Sequence, residues 1–387
     1  MPGEPALPDQ PPDRPDAAGS LRRGRFTYLP VVPGHLEFAI EVRRAILHDR
    51  PQVVALELPV TLQQQYMRAV ARLPEMSVIV YPDESEEDRA VYVPVEPADP
   101  FVEAIRTAHE TGAEVVFADP DSGQRPHLKD AYPDPYSIRH IGLEKYVEAY
   151  RVYPQERSEE IARHADGIAW KLQGCDPLAR VLVVVSLNLL DPVLDSMEEP
   201  QAQPMSRMRR EGVRVLNPHP ECLAEITIEY PYLQFRYEQF RQLLTDSNWI
   251  DRRHAQLALF RDAEKSYEAS TGERVAHWQR RLLARYARNL ALVDNALMPG
   301  VFDLAVAARS IVDDNYGWDV WETAGRYPPQ QTASDLQTVR ISGEEVWLDT
   351  KRMRLRRRLP SAKRRLRPVG LKPRKKEKVP GEWAREL

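Results

Sequence analysis

The run Gly34-His35-Leu36-Glu37-Phe38-Ala39-Ile40-Glu41-Val42-Arg43-Arg44-Ala45-Ile46-Leu47-His48-Asp49-Arg50-Pro51-Gln52-Val53-Val54-Ala55-Leu56-Glu57-Leu58-Pro59 decides the fold. It reads as the end of a strand, one amphipathic helix, and a buried strand. Apolar residues at 36, 39, 40, 42, 46 and 47 keep a helical period. Val53 to Leu58 is then apolar except at Glu57. A carboxylate at the carboxyl end of a parallel strand stands where open α/β sheets place their ligands.

Working outward, strands are expected over 26–32, 77–81, 90–95, 114–119, 180–187 and 213–217, with helices over 60–73, 100–111 and 156–172. Pro30 confines the first strand to an edge or an end. The near-continuous Val/Leu run at 181–185 indicates a strand covered on both faces. Strands alternating with helices give the fold class: α/β, a mostly parallel sheet flanked by helices, followed by an all-α region. That region has helical periods over 221–244, 250–270, 274–296 and 300–325, broken at Pro299-Gly300. The expected organisation is a disordered Pro-rich amino terminus (1–24), an α/β domain (25–220), a helical domain (221–330), a short hairpin or linker (331–350) and a basic disordered tail (351–387).

The net charge of −4 conceals an asymmetry. Residues 351–387 hold 16 Lys/Arg against 3 Glu, so the rest of the chain is strongly acidic. Residues 351–376 hold 14 Lys/Arg, no acid and no aromatic residue. Weak, salt-dependent contact with nucleic acid or an acidic partner is expected there, without base stacking. No run approaches the ~18 apolar residues of a membrane span. With no signal-peptide pattern and two incidental cysteines, Cys175 and Cys222, a cytoplasmic location and no membrane partner are expected. There is no Gly-x-Ser-x-Gly elbow, no phosphate-binding Gly-rich loop and no His-Glu-x-x-His.

The helix ending Arg43-Arg44-Ala45-Ile46, followed by Arg50-Pro51-Gln52-Val53-Val54-Ala55-Leu56-Glu57-Leu58, resembles the TraB / ChaN / erythromycin-esterase-like superfamily. So does Gly112-Ala113-Glu114-Val115-Val116-Phe117-Ala118-Asp119-Pro120-Asp121, and the 156–172 helix with its following strand is similar to that superfamily's third segment. Ala307 to Asp314 resembles a run in a bacterial branch with a helical carboxyl half.

The resemblance implies a divalent-metal or acid/base hydrolase site at the sheet's carboxyl edge. Its Glu maps to Glu57. The position of its first His falls at Pro33, two residues before His35, and that of its later His at Asn188 or Leu189. Asn can offer a carbonyl oxygen but takes no proton near neutral pH, so Glu57 with Asn188 suits Mg²⁺ rather than tetrahedral Zn²⁺.

Two readings follow. In one, the chain is a catalytically degenerate scaffold that binds a protein partner through its helical region. In the other, it is a hydrolase with a remodelled site built from Glu57, Asp119 and His35, with Glu57, Asp121, His127, His140 and Asn188 as candidate ligands of a divalent metal. Each of these residues also has a plain structural alternative: salt bridge, turn, cap or loop.

Overall fold

The computed structural model describes residues 21–83, 89–121, 126–204, 208–242, 250–342, 345–348 and 351–357. The chain has mixed α/β content with a helical carboxyl half, as expected. Eleven strands are described: β1 (Arg22–Arg23), β2 (Phe26–Val31), β3 (Val53–Pro59), β4 (Ser77–Pro82), β5 (Arg89–Val95), β6 (Glu114–Asp119), β7 (Val181–Ser186), β8 (Arg214–Pro218), β9 (Thr338–Ser342), β10 (Glu345–Leu348) and β11 (Lys351–Arg357).

The first sheet has the order β1-β2-β7-β3-β6, and β2, β7, β3 and β6 run parallel. Val54, Ala55, Leu56, Val184 and Val185 are fully buried, which is why these strands read as continuous apolar runs. β1 pairs only with Phe26 and Thr27. Among the described residues, β2 has no neighbour on that side at Pro30, so the missing N–H interrupts no ladder there.

The helix Leu36–Asp49 is buried on two sides. Phe38, Val42 and Ile46 enter the core of the parallel sheet, while Leu36, Ala39 and Ile40 pack with Leu233, Tyr237 and Leu259 of the helical half. Gly112, at φ +74, closes the helix Pro100–Thr111 in a left-handed cap.

Three findings correct the expected organisation. First, β4, β5 and β8 do not extend the parallel sheet. They form a six-stranded closed barrel, in the order β10-β11-β5-β4-β8-β9. Its pairings are antiparallel except β11 with β5 and β8 with β9. Second, the first seven residues of the basic stretch are the strand β11, so 351–357 belong to the fold; 358–387 lie outside the described residues. Third, Leu21 is buried and Arg22–Arg23 pair with β2, so order begins before residue 25; residues 1–20 lie outside the described residues.

The helical half holds Pro231–Gln242, Arg252–Thr271, His277–Val293, Val301–Ile311 and Asp314–Ala324. The helix expected over 300–325 is two helices. Asp313 breaks it, accepting the amide of Tyr316 as the cap of the second.

Candidate functional site

The carboxyl edge of the parallel sheet gathers several of the expected residues, and the protein itself occupies their polar atoms. Glu57 is 1% exposed. Its Oε2 accepts the backbone amide of Ser186, at the end of the neighbouring strand β7, at 2.5 Å. Asp119 ends β6, and its Oδ1 accepts the amide of Asp121 at 2.7 Å. Asp121 adopts φ 51 and is held in a fork by Arg210, Nε to Oδ2 at 2.6 Å and Nη2 to Oδ1 at 2.5 Å, with Thr61 also donating to Oδ2. Arg210 in turn lies over the ring of Tyr81, 4.4 Å from its centre. A fork of this kind fixes orientation as well as charge.

The remaining candidates are scattered. Asn188 is buried in the single turn after β7, and its Oδ1 has no hydrogen-bond partner. His127 is half-buried in the segment after β6. His140 is exposed at the end of the short helix Ile138–Ile141, its ring T-shaped to that of Tyr136. Among the described residues, the group of three His, Asp or Glu side chains close enough to hold an ion is a different one, and Glu57, Asp121, His127 and His140 are not in it. Nor does His35 join Glu57. Strand β7 lies between β2 and β3, which places the ends of those strands about 10 Å apart.

His35 faces the helical half instead. His35, Glu37 and Glu229 bring ligand atoms within 4.8 Å of one another. His35 Nδ1 lies 3.9 Å from Glu229 Oε1. Burial depresses the imidazole pKa, outweighing the pull of Glu229 and Glu37 in the opposite direction.

Two carboxylates and an imidazole would make a reasonable metal triad, but Arg252 fills it. Its Nε and Nη2 donate to the two oxygens of Glu37, each at 2.8 Å, and its Nη1 donates to Glu229 Oε2 at 2.8 Å. Nη2 also donates to Glu229 Oε1, which accepts the amide of Leu36 as well. A divalent ion here would face a fixed guanidinium and find both carboxylates already engaged. The residues do not fit a metal.

Sequence reasoning missed Glu37, Glu229 and Arg252, and also His164. The first two charges lie far apart in the chain, and Arg252 reaches Glu37 across 215 positions. His164 stands on the helix Glu159–Gln173, is 2% exposed and points Nε2 at Asp119 Oδ1 from 3.8 Å. Neither of its ring nitrogens has a hydrogen-bond partner. Its position on the apolar face of a helix gave no signal of chemistry.

Two open clefts lie on the described surface. One, of about 550 Å³, opens where β3 and β6 begin and is lined by Val53, Glu114, Trp170 and Cys175. The other, of about 500 Å³, lies beside Arg68, Arg214 and Asp335. Neither is lined by any of the expected site residues. No helix among the described residues is long and apolar enough to cross a membrane. Comparison of the chain with family models, curated proteins and solved structures finds no match.

Proposed function

We propose that this chain is a divergent member of the TraB / ChaN / erythromycin-esterase-like superfamily that works as a partner-binding scaffold, with the α/β half as platform and the helical half as contact surface. One observation carries the reading: the helix His277–Val293 turns its bulky apolar residues outward. Trp278 is 63% exposed and Val293 80%, with Leu282 and Leu292 also exposed. The face it buries is lined by Leu283 and the small Ala287 and Ala291. Exposed apolar residues gathered on one face mark an interaction site; scattered ones do not. The strand ends support the same reading, since Glu57 accepts the Ser186 amide and Asp121 is held by Arg210.

A photo-crosslinking side chain placed at Leu282, in cells that naturally carry the protein, tests this. A discrete adduct is expected there and none from the same group at Leu178, 91% exposed on the α/β half. No adduct at Leu282, or the same adducts at both positions, overturns the scaffold reading.

The hydrolase reading has one observation in its favour, the unpartnered His164 beside Asp119. An imidazole at that place could serve as a base if the edge opened. Ester hydrolysis that is lost in both His164→Asn and Glu57→Gln would favour it over the scaffold.

A further inference from the structure

We propose that the exposed face of the helix His277–Val293 takes an acidic amphipathic protein segment, one that sets a carboxylate between two apolar contacts. The inference rests on the scaffold reading and names the chemistry of its partner.

At 3.6 residues per turn, positions 278, 282, 285, 289, 292 and 293 fall on one side of the helix, opposite the buried 283, 287 and 291. Trp278 and Leu282 form an apolar contact at one end of this side, and Leu292 and Val293 another at the other end. Arg285 and Asn289 stand between them, and Arg281 and Arg288 line one flank. The helix carries four arginines and no acidic residue. Arg280 is paired with Glu264. Among the described residues, Arg281, Arg285 and Arg288 are exposed and make no ion pair.

Three kinds of occupant can cover such a face, and the order of its residues separates them. An anionic membrane suits a helix whose apolar side is unbroken and whose cations lie at the edges. Here Arg285 is central and would have to enter the lipid. A second copy would bring the same arginines together across a two-fold axis, where like charges repel. An acidic segment meets both needs: its apolar residues cover Trp278/Leu282 and Leu292/Val293, and its carboxylate neutralises Arg285. Trp and Arg are also the residue types on which protein interfaces most often depend.

The test uses the full chain and three synthetic amphipathic helical peptides. They share one apolar face and carry Glu, Gln or Lys at the positions that interrupt it. Vesicles of phosphatidylcholine with about one third phosphatidylserine, and the chain's own oligomeric state, are measured alongside. The Glu peptide is expected to bind in a salt-dependent manner, at least about tenfold more tightly than the Lys peptide. Arg285→Glu reverses that preference, and Trp278→Ala weakens binding of the Glu peptide by at least about tenfold. Both side chains are exposed, so the unfolding midpoint serves as the control for folding.

Equal, salt-independent binding of the Gln peptide overturns the acidic partner and leaves the scaffold reading standing. Binding to the anionic vesicles that Arg285→Glu abolishes overturns it in favour of a membrane. A dimer dispersed by Leu282→Glu overturns it in favour of self-association. If no probe binds, the acidic segment is overturned, and the crosslink at Leu282 decides separately whether the scaffold reading survives.

Discussion

Arg252 grips Glu37 with two parallel hydrogen bonds, each 2.8 Å, across the seam between the α/β half and the helical half. The seam is charged along much of its length. Arg106 pairs with Glu238, and Arg241 with Glu103, whose carboxylate also receives Arg43. Gln234 closes a gap by accepting the amide of Ala98 while donating to Glu96. Removing one member of a buried ion network leaves its partners charged and uncompensated.

Arg252→Met is therefore expected to destabilise the protein by about 3–5 kcal/mol, because Glu37 and Glu229 lose their shared counter-ion together. Urea unfolding measures the loss. Adding Glu37→Gln to Arg252→Met should recover part of it, since one of the stranded charges is then gone.

Acid should act on the same cluster in two stages. Burial alone would raise the pKa of Glu229, but the charge and hydrogen bonds of Arg252 outweigh it and hold the carboxyl at about 2. A carboxyl depressed in the folded state contributes stability that is present above its unfolded pKa, about 4.3, and lost as the pH falls towards 2. His35 is depressed by its burial. Its unfolded form takes up a proton near pH 6.5 while the folded form resists, so stability begins to fall below about pH 6.5. Unfolding free energy against pH should show an early decline from His35 and a steeper one below about 4.5. His35→Gln removes the first and leaves the second.

The parallel sheet was legible because its strands are buried on both faces and its helices keep a clean period. The second sheet was not. The apolar runs of β4 and β5 look like those of the first sheet, and nothing local says which strands they pair with. The strand at 351–357 was hidden by its own composition, since a run of Lys and Arg reads as a solvated tail unless its pairing with Arg89–Tyr92 is known. At the candidate site, the place of Glu57 on its strand could be read, but its role could not. Whether a carboxylate waits for a ligand or holds a backbone amide depends on Ser186, which is 129 positions away.

Gly34 is a local test of how the first helix is entered. It lies at φ +77, and a Cβ there would meet Ile228 Cδ1 at 2.0 Å. Its amide donates to Asp99 Oδ2 at 2.9 Å, and the other oxygen of Asp99 caps the helix Pro100–Thr111. Gly34→Ala is expected to cost at least about 2 kcal/mol, from backbone strain and the collision together. Removing the collision with Ile228→Ala in the same chain should leave a backbone component of about 1–2 kcal/mol, which a double-mutant cycle by urea unfolding separates.

Glu57 tests the family resemblance most directly. If the carboxylate is a structural acceptor for the Ser186 amide, Glu57→Gln keeps an oxygen in place. Its stability should then fall by no more than about 1 kcal/mol, whereas Glu57→Ala leaves a buried N–H unpaired and adds a cavity, for about 2–4 kcal/mol. A metal bound only by the folded chain would raise the unfolding midpoint in proportion to the logarithm of its concentration. The expected result is the same midpoint for the wild-type chain with Mg²⁺ and with EDTA. A rise with Mg²⁺ in the wild type that disappears in Glu57→Gln would instead restore the strand-end carboxylate as a ligand and return the hydrolase reading to first place.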